Sequence, residues 1–248
     1  DWAAERDAVM RVWLEFDRKF GFRFVHAMLP PDFSHLTRYR VLKLMRELGI
    51  RGCTPNARKR TTIPDPKAKP RPDLVRRDFA SPVLTYKLVG DITYLRTGEG
   101  WLYCAVVKDL CTKQIVGYAF SDRIDTNLTL AALGMAVRRR KPLPGLIFHS
   151  DRGVQYAAYA YRQRLASLGI RQSMSRKGDP YDNAVAENFF SCLKCECVHL
   201  RHFASRAHAM ADVFAYIETF YNPVRPHSSI GWRPPDAFAR ALSEHPAA

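Results

Sequence analysis

Between residues 86 and 121 the apolar positions fall in three short runs. Tyr86 to Leu95 (YKLVGDITYL), Trp101 to Leu110 (WLYCAVVKDL) and Gln114 to Ser121 (QIVGYAFS) are rich in β-branched and aromatic residues, the composition of half-buried strands. The joins at Thr97 to Gly100 and Cys111 to Lys113 are short enough for hairpin turns, so an antiparallel three-stranded meander is predicted. The period then changes. Thr126 to Arg139 places Leu130, Leu133 and Val137 on one helical face. Leu146 to Phe148 reads as a short buried strand, Ala158 to Leu168 as a helix and Ile170 to Met174 as a further strand. From Ala184 the positions Val185, Ala186, Phe189, Phe190 and Leu193 predict another helix, with Asp182 or Asn183 available to cap its first amides. The order of three strands, helix, strand, helix, strand, helix predicts an α/β domain with a mixed five-stranded sheet and helices on both faces.

Before this block, residues 1–30 read as helical and amphipathic through Val9, Val12, Trp13 and Phe16. A second helix has Ser34 and Thr37 as caps, a stripe of Val41, Leu44, Met45 and Leu48, and Gly49 as its stop. Arg38, Arg40, Lys43 and Arg46 occupy its other side. It reads equally as part of a helix-turn-helix-like unit or as an amphipathic helix packed on a neighbour. After the block, Ser205 to Tyr221 predicts an amphipathic helix. Residues 222–238, mixing Arg225, His227 and Arg233 with prolines, predict a coil wrapping the domain surface. The expected organisation is a helical unit at 1–50, a linker at 51–80, the α/β core at 81–204 and a helix with its tail at 205–248.

Composition sharpens this picture. In 248 residues, 47% hydrophobic, there is enough apolar material for one large domain or a medium one with appendages. No apolar run is long enough to span a bilayer and no leader opens the chain, so a soluble cytoplasmic protein is expected. The first residue is Asp, which suggests a trimmed start or a piece of a longer product. Net charge is +15, which for such a protein favours nucleic acid as the partner. The excess concentrates between Arg51 and Arg77, where nine basic residues face Asp65 and Asp73 among five prolines. Such a segment builds no core; it reads as a strap along a phosphate backbone in preference to a merely solvated linker. Six cysteines are too few and too uneven for a disulfide scaffold, and Cys192 with Cys195 lacks a second pair at zinc-ligand spacing.

Three acids stand in unusual places. Asp91 interrupts an apolar strand, where a buried carboxylate is costly unless compensated. Asp151 follows a strand's carboxyl end, where ligands gather in α/β sheets. Glu187 lies in the first turns of a helix, one turn before Ser191 and two before Lys194. Three oxygen donors around one cavity suit Mg²⁺ or Mn²⁺ better than zinc. Two such ions, about 3.5–4 Å apart, would clamp an in-line displacement at phosphorus, with Asp91 bridging them. Lys194, Arg152, Arg176 and Lys177 add positive charge for a phosphodiester, and Arg58, Lys59 and Arg60 of the linker with Arg225 and His227 of the tail complete the predicted DNA contacts.

The element order is that of ribonuclease H-like folds. Asp91, Asp151 and Glu187, with thirty-five residues between the last two, resemble the DDE triad of retroviral-integrase-like transposases. The words GDITYLRT, LIFHSDRGVQY, KGDPYDNAVAENFFSCLK and YIETFYNPVRPHSSIGWRPPDAF resemble the second-frame transposases of the insertion-sequence-three family, from about Leu84 to Phe238. Residues 1–60 are more loosely similar to the helical unit that precedes the core there. The resemblance implies metal-dependent cleavage at a transposon end, followed by attack of the freed 3′-hydroxyl on another phosphodiester, without a covalent protein intermediate. It implies that Lys194 contacts DNA, that subunits assemble on paired ends of double-stranded DNA, that a bacterial, nucleoid-associated protein is in hand, and that a first-frame segment is fused or bound as a partner. Many relatives have Trp and Thr near the first aspartate where this chain has Leu88 and Gly90. The competing readings are a catalytically silent DNA-binding accessory of transposition and a nuclease specific for RNA–DNA hybrids.

Overall fold

The computed structural model describes residues 2–53, 72–75, 78, 81, 84–175 and 184–244, the first three of the last stretch by backbone alone. The chain divides into two compact units, residues 1–57 and 58–248. In the first, α1 (Ala3–Glu15), α2 (Phe22–Met28) and α3 (Arg38–Glu47) enclose Val9, Val12, Val25, Leu36, Val41, Leu44 and Met45. The single helical stretch expected over residues 1–30 is broken. Asp17 and Arg18 take φ of 54° and 62°, a left-handed pair that no right-handed helix can include. α3 begins at Thr37, whose hydroxyl accepts from the Arg40 amide at 3.2 Å, and it stops before Gly49 at φ 67°. Its outer side leaves Arg38, Tyr39, Lys43 and Arg46 exposed. The greater part of the basic linker, Arg58, Lys59 and Arg60 included, lies outside the described residues.

The second unit holds a five-stranded sheet in the order β3-β2-β1-β4-β5. β1 (Lys87–Thr97), β2 (Gly100–Asp109) and β3 (Ile115–Ser121) form the predicted antiparallel meander, while β4 (Ile147–Ser150) and β5 (Arg171–Met174) extend it in parallel from β1. Helices α4 (Thr126–Arg139), α5 (Val154–Ala157) and α6 (Tyr159–Ser167) cover one face, where Leu88, Ala105, Val107 and Phe148 are buried with Leu133, Tyr156 and Tyr161. Close approach of α4 requires Gly117, because a side chain there would run into the Ala132 carbonyl oxygen. The other face buries Leu95, Cys104 and Val106 under α7 (Ala184–Glu196) and α8 (Arg206–Ala215).

α8 is capped by Ser205 and runs on into a π-helical turn, Tyr216–Tyr221. The tail then departs from the predicted coil. Asn222 is buried, and its side-chain amide pairs with both the N–H (2.9 Å) and the C=O (3.0 Å) of Ile115, satisfying β3's start with a side chain. Pro235–Glu244 is helix α9, with proline in its first position, where the missing N–H costs nothing. Gln114 reaches Asp236 of that helix at 2.7 Å. The tail is therefore built into the domain.

Candidate active site

β1 and β4 pair in parallel from Lys87↔Ile147 to Gly90↔Ser150. The next residue on each strand is an aspartate. Asp91 and Asp151 therefore leave neighbouring strands, spaced about 4.8 Å, at equivalent positions past the end of the pairing. Alternation turns Asp91 away from the face of Gly90, and Asp151 follows directly on the last residue of β4. Asp91 shares its side of the sheet with its cross-strand partner Val106, which is buried together with Phe189, Phe190 and Leu193 of α7. Both acids are partly exposed, and each is steadied by a nearby amide. Asp91 Oδ1 accepts from the Ile92 N–H at 2.8 Å, and Asp151 Oδ1 from the Gly153 N–H at 3.0 Å.

On the opposite face, the place of a side chain at residue 90 is taken. A Cβ on Gly90 would stand 2.5 Å from Cζ of Phe148 and 3.3 Å from the Tyr156 hydroxyl. This is the physical reason for glycine at this position. Tyr156 is buried and its phenol is held protonated, first by desolvation, then by Tyr161 and by the negative charge of Asp91 and Asp151. A neutral hydroxyl thus underlies the aspartate pair. Tyr156 was not singled out from the sequence, because α5 is only four residues long and its periodicity cannot show.

Glu187 lies on the first turn of α7 and is partly exposed, while Phe189 and Leu193 are fully buried against the sheet. Lys194, two turns on, faces β1. Its ammonium lies 5.0 Å from the centroid of the Tyr94 ring; burial lowers its pKa and attraction to Asp91 opposes that shift. Among the described residues no three His, Cys, Asp or Glu side chains form a ready-made metal cluster. The strand register sets Asp91 and Asp151 at neighbouring backbone positions, and Glu187 lies on the first turn of α7, the helix that packs on β1. Arg152 donates from Nε to the Ser175 carbonyl at 2.7 Å, holding the chain where it leaves β5. Buried His149 lies between two hydroxyls, Ser173 at 2.8 Å and Ser175 at 3.2 Å, bracing the same strand ends. Arg176, Lys177 and the caps Asp182 and Asn183 lie outside the described residues.

Two of the predicted DNA contacts are corrected. Arg225, its side chain 13% exposed, is held in an ion pair with the buried Glu196 at the end of α7, its Nη2 2.7 Å from Oε1 and its Nε 2.8 Å from Oε2. The Tyr216 hydroxyl donates to the same carboxylate at 2.8 Å. His227 is buried against the Tyr221 ring, with its pKa pulled down to about 2 by desolvation and by the charges of Arg225, Lys108 and Lys113. Neither side chain is available to a phosphate backbone. Lys108 of β2 is also fully buried there, and desolvation lowers its pKa to about 7.

Residues 85–180 match a family model described as an integrase core domain, residues 168–235 a second model of the same description, and residues 1–59 an HTH-like domain. The chain is 40% identical over 219 residues to the insertion element IS600 uncharacterized 31 kDa protein of Shigella sonnei, an alignment covering 88% of this chain and 80% of that protein. It is 47% identical over 166 residues to transposase InsF for insertion sequence IS3A of Escherichia coli strain K12, covering 67% of this chain and 58% of InsF. Among solved structures, it resembles a chain of the simian T-cell lymphotropic virus intasome determined with the PP2A regulatory subunit B56 gamma, with a TM-score of 0.51 and 13% identity over 79% of this chain and 64% of that one. At that identity the likeness bears on fold, and it agrees with a ribonuclease H-like sheet. No helix among the described residues is long and apolar enough to cross a membrane.

Proposed function

The chain belongs to the insertion-sequence-three family of transposases, with an integrase core and an HTH-like domain, and from that premise we propose that it cleaves and joins DNA strands at insertion-sequence ends through Asp91, Asp151 and Glu187. The observation that carries the reading is the β1–β4 register, which sets two carboxylates on adjacent strands at the carboxyl end of their parallel pairing. Their donors are oxygens only, partly open to solvent, and the buried Tyr156 phenol, which feels both charges, is neutral. That set fits Mg²⁺ or Mn²⁺. Asp91 and Asp151 would hold the ions, two in all, with Glu187 as third ligand from α7. When bound, the ions supply positive charge that stabilises the attacking and leaving oxygens.

The remaining work falls to the chain. Lys194, drawn towards Asp91, holds a non-bridging phosphate oxygen beside the aspartates. Arg152 keeps the β4 and β5 ends in register through Ser175. The HTH-like unit and the basic segment bind duplex DNA, and two or more subunits gather paired ends. In the first step water attacks phosphorus and the 3′-oxygen leaves with a proton. In the second, that 3′-hydroxyl attacks a target phosphodiester, a new P–O bond forms and the target's 3′-oxygen departs. One phosphodiester is exchanged for another, so no external energy source is needed.

Asp151→Asn tests this reading. Asparagine keeps the oxygen that accepts from Gly153 but not the negative charge. DNA binding should persist while Mg²⁺-dependent cleavage and joining of end-bearing oligonucleotides disappear. If the unmodified protein binds such DNA but never nicks or joins it, the silent-accessory reading replaces this one. Cleavage confined to RNA–DNA hybrids would identify a nuclease instead.

A further inference from the structure

The β1–β2 hairpin presents a second surface, on the sheet face opposite the aspartates. Alternation places Gly90, Ile92, Tyr94 and Arg96 on this face, and their cross-strand partners are Val107, Ala105, Tyr103 and Trp101. Nearest the active site these positions are packed beneath helices. Towards the hairpin tip cover is lost: Tyr94 and Tyr103 are half-buried, Arg96 is exposed and Trp101 is 46% exposed. The exposed indole is held in place. Tyr94 packs perpendicular to it at 5.1 Å between centroids, and Arg206 donates from Nε to the Trp101 carbonyl at 3.0 Å. Lys194, from α7 on the aspartate side, reaches the same Tyr94 ring at 5.0 Å across the edge of β1 beyond the end of its pairing with β4, and is attracted to Asp91. The acid in the turn, Glu99, is engaged by the Arg206 amide at 2.8 Å. Aromatic rings and cations therefore alternate from the aspartates to the hairpin tip, five residues or about 17 Å along β1. That span is about five nucleotide steps of one DNA strand.

We propose that Trp101, supported by Tyr94 and flanked by Arg96, is a stacking shelf for an unpaired nucleobase of the DNA on which the aspartates act. This rests on the DNA-joining reading above and adds to it where a single strand would lie. A base has an apolar face for the indole and a phosphate within reach of the cations, the combination that single-strand platforms use. A second copy of this chain is a poorer occupant, since its net charge of +15 would bring more positive charge to Arg96, Lys194 and Arg206.

The experiment compares the full chain with Trp101→Ala and Trp101→Phe on two fluorescent probes, a blunt duplex carrying an insertion-sequence end and the same duplex with a short single-stranded overhang. Trp101→Ala should bind the overhang probe about five- to a hundredfold more weakly and the blunt duplex within about twofold, with an unchanged salt slope because no phosphate contact is lost. Trp101→Phe should recover most of the loss. In the unmodified protein, 2-aminopurine placed along the overhang should report stacking at one position and not at its neighbours, a readout independent of how the variants fold. Overhang binding by Trp101→Ala as tight as that of the unmodified protein, no position-dependent signal, or a change in sedimentation in place of overhang binding overturns the shelf and leaves the transposase reading intact. Failure of the unmodified chain to bind either probe overturns both.

Discussion

The buried pair at the end of α7 allows a decisive test of what Arg225 does. In Arg225→Met the apolar stem is retained and the guanidinium is removed. Glu196, whose side chain is only 5% exposed, would keep the Tyr216 hydroxyl as a donor but lose the three short contacts from Arg225 at 2.7, 2.8 and 3.0 Å. Breaking a buried ion pair from one side costs about 3–5 kcal/mol, because the remaining charge is stranded away from water. That is a large share of a typical stability of about 5–15 kcal/mol. Replacing both partners, as in Arg225→Met with Glu196→Leu, should restore most of the loss, leaving about 1 kcal/mol for the Tyr216 hydroxyl deprived of its acceptor. Urea denaturation gives these differences, and anisotropy titrations with duplex DNA at two salt concentrations give the binding side. The folded fraction of Arg225→Met should bind DNA with an undiminished salt slope. Arg225 is a phosphate contact and not a structural one if the variant keeps its stability within about 0.5 kcal/mol while its slope of log affinity against log salt flattens by about one.

Two more substitutions probe the same framework. Gly90→Ala should destabilise by about 1–3 kcal/mol, because its Cβ would meet the Phe148 ring at 2.5 Å, and should slow strand joining in the fraction that remains folded; a thermal melt showing a gain would contradict the packing described. Lys108 loses its proton near pH 7 in the folded chain but near 10.5 when unfolded, so between those values the unfolded chain binds more protons and stability rises with pH. Lys108→Met lacks that rise. Its stability relative to the unmodified protein should be greatest near pH 6.5 and fall by up to a few kcal/mol near pH 9.5, measured by denaturation midpoints at the two pH values.

The sheet was readable because its strands alternate or are continuously apolar, and α4 because Leu130, Leu133 and Val137 recur on one helical face; its cap, Asp125, whose side chain accepts from the Leu128 amide at 2.9 Å, carried no part of that reading. The neighbouring backbone positions of Asp91 and Asp151 come from the β1–β4 register, which the element order alone did not spell out. What escaped has local causes. α9 begins at the second of two prolines, a pair that suggests coil although proline is well suited to a first helical turn. The break after α1 depends on two non-glycine residues with positive φ, which carry no compositional mark. Arg225 and His227 sit among prolines and look like solvent-facing cations. Only Glu196, twenty-nine positions away and itself inside a helix, reveals the ion pair. Tyr156 was hidden for a similar reason: its importance comes from lying under Gly90, a contact between distant stretches.

The way α7 is fastened bears on how its glutamate can move. Phe189, Phe190 and Leu193 are buried in the sheet and Glu196 is bonded to Arg225, so the helix is gripped along its later turns. Glu187 lies nine residues upstream of Glu196, about 13 Å along the axis. Phe189, two residues past Glu187, is fully buried, so the free lever between the glutamate and its first anchor is only about 3 Å. Glu187 therefore sits within a turn of a fixed anchor, and how far its carboxylate extends is set by the torsions of its own side chain.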